Sequence, residues 1–326
     1  MTTELTLAFP SKGRIKEMTE DFVRSCDLTV KASGRNYSGT VVQIPGIRVM
    51  YCRPTEIPEL LFEGKIDGGI TGEDLLREFL NERPFTYISL GLGFGKASLV
   101  TAVPKSWTDV EEMSDLADVC SEIRHGHSRG MRVATGFPNM TRWFFHEKGI
   151  NDFRIIESSG ATEGTPMAGI SDVIVDITST GSTLANNDLK TLRDGTLLES
   201  QICFFLSTKS SWNNQKCALI REFLTRIETR QQSSDLFSVR FTFPEESAQT
   251  VAREFQRPQD RFVIVGKTRD GSQVGEVLTA KNKLFDLSAK LSEKGASNIT
   301  ASKVDYLLGE KSKTYLKFME LLGRTA

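Results

Sequence analysis

Leu5 to Phe9 is a short apolar run closed by Pro10, and after Ser11-Lys12-Gly13-Arg14 the apolar positions fall at Ile15, Met18, Phe22 and Cys26. Spacings of three and four residues put those side chains on one stripe of an amphipathic helix. The chain thus opens strand, basic glycine-containing turn, helix, with Ser11 as the expected helix cap. The same rhythm repeats. Gly46 to Cys52 reads as a strand ending at Arg53-Pro54, and Glu56 to Glu63 as a helix closed by Gly64. A further strand ends at Gly68-Gly69-Ile70-Thr71-Gly72, before a helix carrying Leu75, Leu76 and Phe79. Strands follow at Ser98 to Val103, Arg132 to Thr135, Phe153 to Glu157, Asp172 to Ile177 and Cys203 to Leu206, with helical patterns at Val110 to Asp118 and Met140 to Glu147. Strands alternating with helices predict an α/β fold with mostly parallel sheets, whose ligands sit at the carboxyl ends of the strands.

Past Leu206 the pattern changes. Lys216 to Gln232 reads as a helix running into the polar Arg230-Gln231-Gln232-Ser233-Ser234, an expected linker. Beyond it the order is strand Phe237 to Phe243, helix Glu245 to Phe255, strand Phe262 to Lys267, strand Gly275 to Ala280, helix Lys283 to Lys294 and strand Asn298 to Leu307, then a last helix from Lys313. That βαββαβ order predicts a ferredoxin-like module of roughly 90 residues. A length of 326 residues leaves room for about two domains, or three if one is small.

Charge narrows the partners. Lys and Arg total 41 against 42 Asp and Glu, so a net charge of -1 gives no field that would gather nucleic acid or anionic lipid. No signal-peptide pattern opens the chain and no apolar run approaches membrane-spanning length, which predicts a cytoplasmic protein with no membrane partner. The five cysteines are scattered without metal-ligand spacing, as expected in a reducing compartment.

The most informative stretch is Asp172-Val-Ile-Val-Asp176-Ile-Thr-Ser179-Thr180-Gly181-Ser182-Thr183-Leu184. An apolar strand delivers a carboxylate and then a hydroxyl- and glycine-rich turn opening a helix, so backbone N–H groups and hydroxyls converge with a helix dipole behind them. That pattern predicts a phosphate cradle. Asp172 and Asp176 share a strand face, and Asp176, at the strand end, is placed to meet ribose hydroxyls. Gly91-Leu-Gly93-Phe-Gly95-Lys96 has the wrong spacing for a phosphate loop, with Ala97 where a hydroxyl is needed, and reads instead as a crossing between lobes. His125-Gly-His127 lacks a third metal ligand and reads as a solvated loop.

Glu163, Gly169, Ser171, Ile174, Asp176, Ile177, Thr180, Gly181, Thr183 and Leu184 match at every spacing the signature of the ATP phosphoribosyltransferase family. Further blocks resemble that family in order: Pro10-Ser-Lys12-Gly13-Arg14, Arg53-Pro54-x-x-Ile57-Pro58, Asp67-x-Gly69-Ile70-Thr71-Gly72-x-Asp74, Leu92-Gly93-Phe94-Gly95-Lys96 and Phe137-Pro138-Asn139-x-Thr141-Arg142. The C-terminal module resembles the regulatory domain of the long form, chiefly at Gly295-Ala296-x-x-Ile299.

The resemblance implies transfer of the 5-phosphoribosyl group from phosphoribosyl pyrophosphate to N1 of ATP, with Mg²⁺ carried by the substrate, as the first step of histidine biosynthesis. It implies a bilobal core like type II periplasmic binding proteins, with lobe I over residues 1–94 completed by 190–230, lobe II over 95–189, and an ACT-like regulatory domain over 231–326. Lys12, Arg14, Arg35 and Arg53 would face pyrophosphate. Glu163, Asp176, Ser179, Thr180, Gly181, Ser182, Thr183 and Leu184 would hold phosphoribosyl pyrophosphate, and Thr71 and Gly72 would lie near adenine. L-Histidine is the implied feedback inhibitor and a dimer or hexamer the implied assembly. The competing reading is a small-ligand-binding or regulatory subunit of the same bilobal fold without chemistry, since fold alone does not fix function.

Overall fold

The computed structural model describes residues 4–33, 38–81, 83–158, 160–255, 261–309 and 311–325. Two compact units partition the chain: Met1–Ile220 with Thr314–Ala326, and Arg221–Lys313.

The first unit begins β1 (Leu5–Pro10), α1 (Gly13–Ser25), β2 (Val30–Ser33), β3 (Ser38–Val41), β4 (Ile47–Cys52), α2 (Ile57–Phe62), β5 (Gly68–Gly72), α3 (Glu73–Leu80) and β6 (Tyr87–Gly91). It continues β7 (Ala97–Pro104), α4 (Met113–His127), β8 (Met131–Thr135), α5 (Pro138–Glu147), β9 (Phe153–Glu157), β10 (Val173–Thr178), α6 (Ser182–Asn186) and β11 (Leu189–Ser200). β12 (Ile202–Ser207) and α7 (Asn214–Ser233) follow.

Two sheets result, each the centre of a lobe. The first has the order β2-β3-β4-β1-β5-β12-β6, and the second β11-β7-β10-β8-β9. In the first, β1 runs parallel to both β4 and β5, with Pro10 opposite Cys52 and Ala8 opposite Gly69. The turns after β1, β4 and β5 therefore leave the sheet at one edge. In the second, β8, β9 and β10 are parallel, and Thr135 pairs with both Val175 and Glu157, so these strands also end level. Leu5, Leu7, Ala8 and Phe9 are all buried because helices cover both faces of β1, which is why that strand reads as a continuous apolar run.

The chain passes from the first sheet to the second through residues 92–96, and returns at Gln201 rather than after Leu189. The later return corrects the expected division. β11 is an edge strand of the second sheet whose register shifts between Thr191, Thr196 and Leu198, and such bulges erase the two-residue alternation by which a strand is recognised. The helix expected at Val110 to Asp118 is α4, reaching His127, so His125 lies on a helix and not in a loop; its Nδ1 is 2.7 Å from the Ser121 carbonyl.

Asp172 holds the second sheet together just before β10. Its carboxylate accepts bonds from Arg129 Nη1 at 2.6 Å, Arg132 Nη2 at 2.9 Å and the Arg132 backbone N–H at 2.8 Å. Burial alone would push this carboxyl up, but the Arg129 and Arg132 bonds outweigh it and hold it well below the usual carboxylate range. A depressed folded-state value contributes stability that is complete above the unfolded value of about 4 and is lost as pH falls below it. Urea midpoints measured at about pH 6 and about pH 3 should therefore differ less in Asp172→Asn than in the natural chain, with the variant the weaker of the two at about pH 6.

The second unit contains β13 (Leu236–Phe243), α8 (Ala248–Glu254), β14 (Phe262–Lys267), β15 (Gln273–Ala280), α9 (Leu284–Glu293) and β16 (Ser297–Lys303), in a four-stranded antiparallel sheet ordered β14-β15-β13-β16. Val239, Phe241, Phe243, Val251, Val277 and Leu291 form its core. The expected linker at Arg230 to Ser234 is instead mostly helix: α7 runs to Ser233, which is fully buried and donates from Oγ to the Asp305 carbonyl at 2.6 Å. The last helix, α10 (Lys313–Leu321), lies outside the module to which the sequence assigned it. Phe318 packs edge-on against Trp212 at 4.6 Å, and Arg324 Nη2 donates to the Trp212 carbonyl at 2.8 Å, which anchors the C-terminal segment in the first unit. Among the described residues no helix is long and apolar enough to cross a membrane.

Candidate active site

The turn after β1 is fastened to the end of β4 by a bond from Ser11 N–H to the Cys52 carbonyl at 2.8 Å. Lys12, not Ser11, is the N-cap of α1, and no side chain caps that helix. Gly13 follows with φ of +74°, the left-handed region that glycine enters at little cost. Lys12 and Arg14 are exposed, and so is Arg53, whose backbone N–H is held by Glu56 Oε2 at 3.0 Å. The expectation for Arg35 lies outside the described residues. Three strand ends thus bring Lys12, Arg14, Arg53 and the Gly72 turn to one edge of the first sheet.

Thr71 corrects an expectation. It is completely buried and its hydroxyl donates to the Pro54 carbonyl at 2.9 Å, so it ties β5 to the Arg53-Pro54 turn and has no free hydroxyl for adenine. Gly72 is buried as well, but it lines a cleft. A Cβ there would fall 2.2 Å from Asp74 Oδ1, and that carboxylate is pinned by Ser200 Oγ–H at 2.8 Å, so a larger residue would break the pair. Burial pushes the Asp74 carboxyl up.

From the second sheet, β10 ends in the turn Thr178 to Ser182. Gly181, with φ of +73°, donates its N–H to Thr178 Oγ1 at 2.9 Å, and the Thr180 and Ser182 hydroxyls share a hydrogen bond of 2.9 Å. Ser179, Thr180, Ser182 and Thr183 are exposed. Leu184 is not: it is 4% exposed among Val100, Ala102, Ile174 and Leu189, so its side chain serves the core and only its backbone is available to a ligand. The helix opened by this turn, α6, has only five residues, so the expected helix dipole is slight and what the turn presents is hydroxyls and local N–H groups. Asp176 is half-buried beside Glu163. Burial pushes its carboxyl up, and the Glu163 charge adds to the effect.

A cleft of about 280 Å³ joins the two strand-end regions. Arg14, Ile15 and Met18 of α1, Gly72, Asp74 and Leu75 of the β5–α3 turn, Gly95, Lys96 and Ala97 of the crossing, Ile177 and Ser179 of β10 and its turn, and Ser200 and Ile202 line it. Of the predicted residues it brings together Arg14, Gly72 and Ser179; Lys12, Arg53, Glu163, Asp176 and Thr180 to Thr183 do not line it. Asp74 and Lys96 were missed as site residues. Both stand in the motif blocks, but Asp74 is fixed by Ser200 from far along the chain, and Lys96 reaches the cleft only because the crossing passes there. Among the described residues no group of three or more His, Cys, Asp or Glu could hold a metal ion.

Cations at the strand ends of one lobe, hydroxyls at those of the other and a cleft between them define a two-lobed α/β protein with a ligand cleft at its strand ends. The family model of ATP phosphoribosyltransferase matches residues 53–229. An ATP phosphoribosyltransferase of Nitrobacter winogradskyi is 38% identical over 330 residues, covering 100% of both chains. One of Caulobacter vibrioides is 37% identical over 329 residues, covering 99% of each. The chain of an ATP phosphoribosyl transferase (HisG:HisZ) complex from Thermotoga maritima superposes with a TM-score of 0.51 at 26% identity, covering 69% of this chain and 96% of that one. The chain belongs to the ATP phosphoribosyltransferase family, its length fits the long form, and it is a transferase.

Proposed function

We propose that this cleft is where the chain carries out its family's reaction, transfer of the 5-phosphoribosyl group from phosphoribosyl pyrophosphate to N1 of ATP, the first step of histidine biosynthesis. The observation that carries the reading is the convergence on one cleft of Arg14 and Lys96 with the Ser179 end of the hydroxyl-rich turn. The bond from the anomeric carbon to the pyrophosphate oxygen breaks, its electron pair leaves with pyrophosphate, and the lone pair of adenine N1 forms the new bond. Charge grows on the leaving group, so fixed cations stabilise the transition state more than the ground state. N1 carries no proton, and the reaction needs no strong general base.

In this reading Arg14 and Lys96 take the pyrophosphate side, with Lys12 and Arg53 at its entrance. Ser179, Thr180, Gly181, Ser182 and Thr183 hold the 5′-phosphate, with the backbone of Leu184 behind them. Asp176 and Glu163 meet ribose hydroxyls, and adenine lies against the small Gly72. Mg²⁺ bound with the substrate would supply neutralisation of diphosphate charge, and the two carboxylates Glu163 and Asp176 would give it at most an auxiliary contact. Ile15, Met18 and Ile177 give the cleft apolar walls that keep water from the activated ribose.

The core corresponds to a type II periplasmic-binding-protein-like pair of lobes, and the second unit to an ACT-like module that binds L-histidine as feedback inhibitor in a cytoplasmic homo-oligomer. The βαββαβ order supports the module. A cavity of about 380 Å³, lined among others by Thr279, Asp286, Lys290 and Leu291, offers both a carboxylate and a cation to a zwitterion. The test mixes the full chain with ATP, phosphoribosyl pyrophosphate, Mg²⁺ and pyrophosphatase, and follows product absorbance with and without histidine. Product that histidine suppresses is expected, and Asp286→Ala with Lys290→Ala should relieve the suppression while leaving the uninhibited rate within about twofold. Absence of product at saturating substrates would favour a non-catalytic binding or regulatory subunit.

A further inference from the structure

Helix α3 belongs by connectivity to the first lobe, between β5 and β6, yet it serves both cores. Leu76 and Leu80 are buried with Ile57, Leu61 and Phe205 of the first lobe, whereas Leu75 packs against the second-lobe cluster that holds Leu99, Phe145 and Val175. One turn beyond the cleft-lining Asp74, Glu78 reaches the start of α5 in the second lobe. Its Oε1 accepts the Asn139 N–H at 2.8 Å and its Oε2 the Met140 N–H at 2.9 Å, while Asn139 Nδ2 donates back to the Glu78 carbonyl at 3.1 Å.

These are the N–H groups that a helix normally satisfies with its own N-cap side chain. α5 has none: its N-cap is Phe137, without a side-chain cap bond, and Pro138 brings no N–H. The cap comes from the other lobe. Burial pushes the Glu78 carboxyl up, and the bonds from Met140 and Asn139 and the charge of Arg142 offset this only in part. Moving the lobes apart would exchange these bonds for bonds to water and leave the first turn of α5 without a cap.

We propose that Glu78 is an interlobe latch, a positioning residue that fixes the angle between the lobes, and with it the width of the cleft, by capping α5 across the lobe boundary. This rests on the reading that substrates occupy that cleft. A cap of this kind shifts the ratio of closed to open lobes by roughly three- to thirtyfold. Substrate binding must then supply that factor when the latch is gone, so apparent affinity falls while the closed complex turns over as before.

The test uses the full chain with spin labels on Glu59→Cys and Glu122→Cys, exposed positions on α2 and α4 in different lobes. A narrow distance distribution is expected with Glu78 present, a broadened one in Glu78→Ala, and partial recovery in Glu78→Gln, which keeps one acceptor. In unlabelled protein Glu78→Ala should raise KM for both substrates by roughly three- to thirtyfold with kcat changed less than about threefold, and Glu78→Gln should fall between. A distribution unchanged in Glu78→Ala overturns the latch whatever the kinetics. A broadened distribution with unchanged KM upholds the latch and overturns the placement of substrates in the cleft.

Discussion

Changing Thr180 and Thr183 together to alanine should lower kcat/KM for phosphoribosyl pyrophosphate by roughly 10² to 10⁴, since two hydroxyl donors to a charged phosphate contribute about 1.5–3 kcal/mol each. The fold should be unaffected. Both side chains are exposed, and the turn itself is held by the Gly181 N–H to Thr178 Oγ1 bond, which the double variant keeps. Steady-state kinetics beside a melting curve measures both. A loss of activity that follows a loss of melting temperature would mean that the hydroxyls build the turn and do not bind phosphate. Gly181 adds a second constraint, because its φ of +73° disfavours any other residue at the centre of the turn.

The largest effect on stability is expected at Asp67. Its carboxylate accepts Lys216 Nζ at 2.7 and 2.9 Å and the Thr6 N–H at 2.8 Å, joining β1, the start of β5 and the first turn of α7, with side chains only 3% and 8% exposed. Asp67→Ala leaves an ammonium buried without its counter-charge and should cost about 3–5 kcal/mol, roughly 10 °C in melting temperature. Replacing both partners by apolar residues, Asp67→Leu with Lys216→Met, should recover most of that loss, because no charge is then stranded. If the single and double variants melt together, the pair is not what makes the site costly to disturb.

The parts of the fold that the sequence reveals are those where burial is simple. β1, β5 and β10 are central strands with largely buried residues and β4 lies beside them, so they stand out as apolar runs closed by turn residues, and the βαββαβ rhythm of the second unit is equally plain. Some edges escape, although the edge strands β9 and β14 are read correctly. The hairpin of β2 and β3, the strand β6 and the bulged β11 lie at or next to sheet edges, where one side sees solvent and the apolar pattern thins. The length of α7 escapes for a different reason: Ser233 is buried through its bond to the distant Asp305, a contact no local pattern announces.

The candidate site divides in the same way. Turns at strand ends are legible because they combine glycine, hydroxyl and cation in a few residues. Their use is not: Thr71 reads as a ligand contact but spends its hydroxyl on Pro54, and Leu184 matches the signature but fills the core. Asp74, Lys96 and Glu78 acquire their places from Ser200, the lobe crossing and α5, all set by the tertiary fold.

The central claim is the division of labour across the cleft, phosphate on the hydroxyl-rich turn and pyrophosphate on the cations, and titration calorimetry with ribose 5-phosphate and with inorganic pyrophosphate reads it most directly. Thr180→Ala with Thr183→Ala should lose ribose 5-phosphate binding and keep pyrophosphate, whereas Arg14→Ala with Lys96→Ala should do the reverse. Variants that bind both probes like the natural chain, or that show the opposite pattern, would contradict the account.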